Sequence, residues 1–234
     1  MFTIYRADDR FKADHGWLIG RHSFSFAEFH DDTNVSFGPM RVLNDDIVKP
    51  LRGFGAHPHS EMEIVSLVLD GQLKHEDSTG QSAVTTFGGI QRMTAGTGVV
   101  HSEVNPSSNE EVNFLQMWFF PDESNLTPSY EKTEFNVDQL KNNLLPVVSK
   151  THSGKEIAYI NQNLTIYLSD LEKGKELPFT QDEGRKILIF VIEGELSIKG
   201  KTLYRRDSVR ISNKSNLDIL ANENTRFMLI DLPA

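Results

Sequence analysis

Two short motifs in the first half of the chain carry side chains that can bind a metal ion. The first is His57-Pro58-His59, and the second, further along the chain, is His101-Ser102-Glu103. In an extended segment, residues i and i+2 project to the same face about 6 to 7 Å apart. Each motif can therefore direct two ligands at one point, and together they supply three imidazoles and one carboxylate.

The spacing leaves the identity of the carboxylate open. Glu61 and Glu63 follow the first histidine pair closely and compete with Glu103 for that role. A lone His-x-His pair is more often a surface or packing pair than a metal site, but the second motif, behind a Gly-rich turn, strengthens the metal interpretation. If the ion is octahedral, four protein ligands leave two adjacent positions open for a guest molecule.

The donor atoms limit the choice of metal. The chain has no cysteine, which excludes disulfides, thiolate sites and iron–sulfur clusters. Imidazole and carboxylate donors suit Fe(II), Mn, Ni, Cu and Zn, and their softness excludes none of these ions. Imidazoles bind only when neutral, so acid should release the metal. The remaining histidines are not assigned to the predicted site: His15, His22, His30, His75 and His152.

The segments that position these motifs are predicted to be β-strands. Short apolar runs bounded by Gly, Asp, Asn and Pro recur along the chain, whereas long amphipathic helical patterns are nearly absent. Pro58 lacks the amide hydrogen that a central strand needs, so the first motif should lie at a sheet edge. We predict strands at residues 64–69, 73–76, 83–87, 98–104, 113–120, 164–169, 186–192, 196–198, 208–211, 217–220 and 227–232.

A change of composition near the middle of the chain predicts two domains, 1–135 and 136–234. Residues 122–150 are rich in Glu, Ser, Asn, Lys and Pro. One short helix is expected there, capped by Asn136, with Gln139 three residues on, and stopped by Pro146. The stretches 64–73 and 187–196 share an apolar strand, an acidic-Gly turn and a return strand, which indicates a duplicated β module.

Composition also sets limits on partners and location. The formal net charge is −9, which opposes binding to nucleic acid and to anionic membranes. No run approaches the roughly 20 apolar residues of a membrane span, and the N-terminus lacks the layout of a signal peptide. We therefore expect a cytoplasmic protein, monomeric and without direct nucleic-acid or membrane contacts.

Several motifs resemble the pirin family of the cupin superfamily. The resemblance implies an all-β bicupin fold, in which two β-sandwich or jelly-roll barrels stack face to face. It also implies a single iron bound by His57, His59, His101 and Glu103. Many cupins take their carboxylate from the position of Glu63, which stays an alternative ligand. The matching motifs are Arg21-His22-Ser23-Phe24-Ser25-Phe26, Gly55-Ala56-His57-Pro58-His59, His75-Glu76-Asp77-Ser78-Thr79-Gly80 and Met93-Thr94-Ala95-Gly96-Thr97-Gly98-Val99-Val100-His101-Ser102-Glu103.

The chain departs from the family pattern at two places and differs between its two halves. Phe87-Gly88-Gly89 and Arg92 are unusual for pirins and could alter a pocket wall. Comparison of the duplicated modules puts other residues where the first half has its four predicted ligands: Thr180, Asp182, Ile219 and Ala221. At least three ligands are thus missing, and we expect one metal per chain, with a structural role for the C-terminal domain.

The resemblance implies a function as well. Some bacterial pirins are similar to quercetin 2,3-dioxygenases (flavonol 2,4-dioxygenases), which cleave flavonols with O₂ and release carbon monoxide. We expect Glu103 to act as the general base that takes the flavonol hydroxyl proton. The alternative is a non-catalytic, redox-dependent regulator that binds a protein partner. A sugar-binding or isomerase cupin is a third interpretation, which needs basic residues such as Arg52 and Arg92 at the barrel mouth.

Overall fold

β-Strands make up 55% of the chain and helices 3% in the computed structural model, which describes residues 1–234. The all-β prediction is confirmed. The first twelve strands are β1 (Phe2–Tyr5), β2 (Phe11–Asp14), β3 (Leu18–His22), β4 (Met40–Val48), β5 (Gly53–His59), β6 (Glu63–Asp70), β7 (Leu73–Asp77), β8 (Ser82–Thr85), β9 (Gly89–Thr94), β10 (Val99–Val104), β11 (Val112–Phe119) and β12 (Ser129–Glu134).

Ten further strands follow, and two single turns of 3₁₀ helix complete the structure, at Ala7–Asp9 and Val137–Leu140. No helix has both the length and the apolar character needed to cross a membrane. The later strands are β13 (Leu145–Ser149), β14 (Ala158–Tyr159), β15 (Thr165–Leu171), β16 (Glu176–Thr180), β17 (Lys186–Glu193), β18 (Leu196–Ile198), β19 (Lys201–Leu203), β20 (Ser208–Ser212), β21 (Asn216–Ala221) and β22 (Thr225–Leu232).

The chain forms two compact units whose main division falls between Phe135 and Asn136. The N-terminal unit also holds Gly154–Gln162, which the prediction assigned to the second domain, and the C-terminal unit also holds Met1–Arg10, which the prediction assigned to the first. Each of these two segments belongs to the other unit because it pairs with residues that are distant in sequence. β1 pairs with β20, and the amide of Tyr159 donates a hydrogen bond to Glu131. Composition along the chain carries no signal of either contact.

Two antiparallel sheets build the N-terminal unit. The larger has the order β12-β9-β6-β11-β4-β3-β2, and the smaller has the order β5-β10-β7-β8. Val68 and Phe114 of the larger sheet pack against Leu73 of the smaller one, which places an apolar core between the sheets. β5 lies at the edge of its sheet, as Pro58 predicted.

The C-terminal unit repeats the plan with an apolar interior. One of its sheets contains the order β1-β20-β17-β22-β15-β13, and the other has the order β16-β21-β18-β19. In the second sheet Leu177 lies opposite Ile219, and Phe179 opposite Leu217. Phe179, Leu217 and Ile219 belong to the buried core, against which Leu177 packs.

This pairing corrects one detail of the comparison between the two halves. Because Leu177 faces Ile219 as His57 faces His101, the positions of the first histidine pair correspond to Leu177 and Phe179, and not to Thr180 and Asp182. Counting from the turn glycine failed because six residues, 180–185, separate Phe179 from β17, whereas only three, 60–62, separate His59 from β6. The corrected residues are apolar and offer no metal ligand.

The predicted linker helix is a single 3₁₀ turn, Val137–Leu140. Asn136 caps it as expected, because its side chain accepts a hydrogen bond of 3.0 Å from the amide of Asp138. The chain turns extended at Lys141, and Pro146 lies in β13 instead of ending a longer helix. Leu140 is the only buried residue of this turn, too little apolar surface to stabilise further turns.

Candidate metal centre

β5 and β10 place the two histidine motifs side by side. The strands are antiparallel, with His57 opposite His101 and His59 opposite Val99. The register then shifts, so that Phe54 lies opposite Glu103 and β5 carries one extra residue in between. This bulge bends the edge strand next to the site. Alternation along each strand turns the three imidazoles to a common face.

The three histidines form a compact cluster. The nearest ligand nitrogens of His57, His59 and His101 all lie within 4.8 Å of one another. Nε2 of His57 lies 3.0 Å from Nε2 of His101. Metal–nitrogen bonds of about 2.0 to 2.1 Å place neighbouring ligand nitrogens roughly 3 to 3.5 Å apart in tetrahedral or octahedral geometry. The His57–His101 distance therefore matches that of two ligands on one ion, with His59 close beside them.

Burial keeps His59 and His101 in the neutral form that binds metals. It lowers the pKa of His101 to about 3, with His57 and His59 adding to the effect. Burial, followed by the proximity of His57, lowers the pKa of His59 to about 4. A neutral imidazole presents one lone pair. Nε2 of His59 is buried without a hydrogen-bond partner, an unfavourable state that a divalent ion would relieve.

The backbone of the bulge fixes the orientation of His57. Its Nδ1 lies 2.7 Å from the carbonyl oxygen of Gly55. Because a carbonyl only accepts, Nδ1 carries the proton and Nε2 carries the lone pair directed at the cluster. The residues present therefore fit a divalent transition metal.

Glu103 lies on the same face of β10 but outside the group of closely spaced nitrogens. Its carboxylate accepts a hydrogen bond of 2.9 Å from the hydroxyl of Ser66 and another from the side-chain amide of Gln116. Burial raises the pKa of Glu103, against the effect of the Ser66 hydrogen bond. The carboxyl group is thus held firmly beside the histidines, and its roles as ligand and as base remain predictions.

The two competing carboxylates are engaged elsewhere. Ser66 of β6 faces Glu103, so Glu63, an odd number of residues away, lies on the opposite face of that strand. Its carboxylate accepts hydrogen bonds from Thr94 Oγ1 at 3.1 Å and from the backbone amide of Asn161 at 3.2 Å. Glu61 accepts from the amide of Asn125 at 3.0 Å. Neither carboxylate belongs to the histidine cluster.

A cavity of about 260 Å³ adjoins His57 and Glu103. Its walls are partly aromatic, and Phe26 meets Trp118 edge to face with 5.3 Å between ring centroids. Phe24 is fully buried in the core. Phe24 therefore packs in the core, whereas Phe26 lines the cavity. The cavity is lined by Leu18, His22, Phe26, Asn44, Asp46, Phe54, His57, Glu103, Gln116 and Trp118.

The cavity also contains a buried acid that the sequence did not single out. Burial raises the pKa of Asp46 well above its ordinary value, and the nearby Asp45 and Glu103 reinforce the shift. Another carboxylate, Glu103, shares the same small space. One of two such neighbours tends to hold a proton, because like charges at close range are unfavourable.

A larger cavity of about 350 Å³ lies in the C-terminal unit, bordered by Asp170 and Arg226. These two residues form an ion pair with distances of 2.6 and 2.7 Å. No histidine lines this cavity, so it lacks the donor set of the N-terminal site.

His75, which the spacing of the motifs did not assign to the site, lies against the cluster. Its Nδ1 is 3.4 Å from Nδ1 of His101, and its Nε2 is 2.9 Å from Oδ2 of Asp77. Tyr130 stacks on its ring, with centroids 4.2 Å apart and planes inclined by 13°. His75 and Asp77 are an i,i+2 pair on β7, so the spacing that identified the other two motifs is present here as well.

Arg92 does not line the site, and its expected effect on the pocket wall is wrong. On β9 its neighbours Gln91 and Met93 face the interior beside His101. The Arg92 side chain projects to the other face, donating hydrogen bonds to Thr94 at 2.9 Å and to Ser129 Oγ at 2.8 Å. Because Arg92 lies away from the site, the structure weakens the sugar-binding interpretation, which required basic residues at the barrel mouth.

The two sandwiches and the histidine cluster define a cupin-type protein with one candidate metal centre. The family model named Pirin matches residues 5–119, and a model described as the quercetinase C-terminal cupin domain matches residues 147–232. The chain belongs to the pirin family, and the bicupin prediction is confirmed.

One similar curated protein and two similar crystal structures come from Escherichia coli. A protein named quercetin 2,3-dioxygenase, of strain K12, is 36% identical over 233 residues, covering 100% of this chain and 99% of its own. The crystal structure of YhhW is 35% identical, with a TM-score of 0.95 and coverage of 100% and 98%. The structure of the bacterial pirin YhhW in complex with nickel(II) is 34% identical, with a TM-score of 0.94 and coverage of 100% and 99%.

Proposed function

We propose that this protein is a metal-dependent dioxygenase that cleaves quercetin-type flavonols with O₂ and releases carbon monoxide. One observation carries the proposal: a cluster of three histidines adjoins a cavity with aromatic walls. The similarity over the whole chain to a protein named quercetin 2,3-dioxygenase supports it.

His57, His59, His101 and Glu103 are the proposed ligands, and iron(II) is the proposed ion. Nitrogen and oxygen donors also accommodate nickel, with which a similar protein was crystallised, and Mn, Cu and Zn. Such an ion supplies Lewis acidity towards the enolic oxygen of a flavonol and, where it is redox-active, reactivity towards O₂.

Glu103 is the proposed general base for the flavonol hydroxyl proton. Its raised pKa brings it nearer to neutral pH, where a general base works best. The hydrogen bonds from Ser66 and Gln116 hold the carboxylate in one position, so little motion is needed before it accepts a proton. Loss of the hydroxyl proton enriches the substrate in electrons, which favours attack by O₂ on its central ring.

The cavity suits a flat aromatic substrate. Phe26, Phe54 and Trp118 provide ring surfaces against which a flavonol can pack. The volume of about 260 Å³ lies just below the roughly 300 to 1,000 Å³ of typical ligand sites. We infer that the reacting rings enter the cavity while the remaining ring stays at its mouth.

The test is aerobic incubation of the iron-loaded protein with quercetin, following flavonol absorbance and carbon monoxide. We expect loss of flavonol that depends on the metal and disappears in His101→Ala. His152→Ala is the matched control, because this histidine is exposed and lies in the C-terminal unit. Consumption no faster than in the metal-stripped protein would refute the proposal.

A further inference from the structure

We propose that His75 and Asp77 are positioning residues of the metal centre. A relay of hydrogen bonds from Asp77 through His75 to His101 holds His101 in the tautomer whose Nε2 lone pair points at the ion. The inference rests on the metal site of the proposed function, but it requires neither a flavonol nor O₂.

The relay begins at Asp77, whose two carboxylate oxygens have separate roles. Oδ1 accepts hydrogen bonds from the amide and hydroxyl of Thr79, at 2.8 and 2.6 Å, and from the amide of Gln81 at 3.3 Å. Burial raises the pKa of Asp77, but the hydrogen bonds from His75 and Thr79 outweigh it and lower the pKa. Asp77 is therefore an ionised acceptor, and Nε2 of His75, 2.9 Å from Oδ2, must carry a proton.

The middle of the relay is the ring of His75. Its side chain is 2% exposed, and the stacked Tyr130 holds its plane. With its proton on Nε2, His75 presents a lone pair at Nδ1, which lies 3.4 Å from Nδ1 of His101. Two facing ring nitrogens interact favourably only when one donates and the other accepts, so Nδ1 of His101 carries a proton.

The proton on Nδ1 of His101 determines what the opposite nitrogen of its ring, Nε2, presents. With its proton on Nδ1, His101 presents an Nε2 lone pair, 3.0 Å from the Nε2 of His57. Two lone pairs at this distance repel each other unless a cation lies between them. His57 is fixed by a neutral carbonyl, whereas His101 is linked through His75 to a carboxylate, which raises its basicity as a ligand.

Asp77→Asn should reverse the direction of the hydrogen bonds in the relay, while the turn that contains Thr79 keeps its hydrogen bonds. The amide oxygen can still accept from Thr79 and Gln81, but the new NH₂ group donates to Nε2 of His75. His75 then carries its proton on Nδ1, and His101 must move its own proton to Nε2, where it blocks the ion. Loss of a partner beyond the ligand typically weakens metal binding about 10- to 100-fold.

Two measurements test this reversal. Competition with a chelator should show nickel(II) affinity falling about 10- to 100-fold in Asp77→Asn. ¹⁵N NMR of the metal-free protein should show the His101 proton moving from Nδ1 to Nε2. Thr79→Ala is the matched control, because it removes one hydrogen bond from Oδ1 and leaves the relay intact. Its affinity should stay close to that of the unaltered protein.

A pair of substitutions at His75 tests the relay independently. In His75→Gln the amide nitrogen can donate to Asp77 and the amide oxygen can accept from His101, so the direction of the relay is kept. His75→Phe retains a ring for Tyr130 but neither hydrogen bond. We expect nickel(II) affinity near the original value in the Gln variant and a fall of about 10- to 100-fold in the Phe variant.

Equal affinities in the two His75 variants, or an unchanged His101 tautomer in Asp77→Asn, would overturn the relay. These readouts do not involve quercetin. If the unaltered protein binds nickel(II) but consumes no flavonol, the proposed reaction fails, whereas the nickel(II) affinities and the His101 tautomer still decide for or against the relay.

Discussion

Replacing Glu103 by Gln should separate the catalytic role of this residue from its structural one. Glu103 accepts from Ser66 and from Gln116, whose own side-chain oxygen accepts from Trp118 Nε1 at 3.2 Å. Gln116 is thereby oriented as a donor. A Gln at position 103 can direct its oxygen at Gln116 and its NH₂ group at the Ser66 hydroxyl, which can rotate to accept. No buried polar group loses its partner.

The magnitudes follow from this network. Two hydrogen bonds to a charged group, about 1.5 to 3 kcal/mol each, become neutral ones of about 0.5 to 1.5 kcal/mol. The accompanying removal of a buried charge offsets this loss. We expect the free energy of unfolding to change by less than about 2 kcal/mol. Loss of a general base should instead lower kcat about 100- to 10,000-fold.

The assay combines steady-state loss of quercetin absorbance, metal content per chain and urea unfolding. A slow variant that keeps its metal identifies Glu103 as a base, whereas a variant that loses its metal identifies it as a required ligand. Ser66→Ala is the control, since it removes one donor and retains the carboxylate; its kcat should fall less than about tenfold. A metal-loaded Glu103→Gln protein with kcat close to the original would refute the catalytic assignment.

Two other predictions concern the histidine cluster. Burial lowers the pKa of His59 to about 4 and that of His101 to about 3, so below pH 6.5 the unfolded chain binds protons that the folded chain does not. The stability that these two neutral histidines contribute to the metal-free protein should therefore be lost as the pH falls from 6.5 towards 4; the same pH dependence of urea unfolding between pH 7 and 4 in the unaltered protein and in a variant with both histidines replaced by Gln would contradict this. Gly53→Ala should weaken nickel(II) binding and destabilise the fold by about 1 to 3 kcal/mol, because its Cβ would lie 2.3 Å from the carbonyl oxygen of Glu103 and 2.4 Å from Cα of Val104. Gly55→Ala, with no atom within 4 Å of the added Cβ, should have little effect on either measurement, and equal effects of the two substitutions would exclude this steric account.

Strands with an apolar pattern could be predicted from sequence because their own residues encode them. β6, interrupted only by Ser66, and β17 are apolar runs, each ended by an acidic-Gly turn. Gly71 in the first turn has a φ of +77°, and a Cβ there would lie 2.4 Å from the carbonyl oxygen of Glu111. Such a turn selects glycine for a steric reason, so its signal is readable in the sequence.

β9 was missed because its stability comes from contacts that no local pattern records. Every residue of Gly89–Thr94 is buried, including Gln91, Arg92 and Thr94. Gln91 donates to the carbonyl of Leu73 at 3.1 Å, and Arg92 bonds to β12 through Ser129. Buried polar residues whose hydrogen-bond partners are distant in sequence have the local pattern of a loop, so the sequence alone does not predict a strand there.

The candidate site was predictable in part. Alternation within each motif predicted that the paired side chains share a face, but only the register of β5 and β10 brings His57 opposite His101. Spacing could not exclude Glu63, because the face it occupies depends on the sheet in which β6 lies. His75 was not predicted although its i,i+2 carboxylate repeats the motif pattern, because it lies behind a candidate ligand and outside the ligand set itself.

Elemental analysis of the protein, purified without added metal and without a histidine tag, tests the central claim most directly. Convergence of three imidazoles predicts about one transition-metal ion per chain, with iron as the proposed element, and almost none after replacement of His57, His59 and His101 by alanine. A folded, unaltered protein that cannot be loaded to a stoichiometric level with any such ion, or a triple variant that retains the metal, would contradict the account.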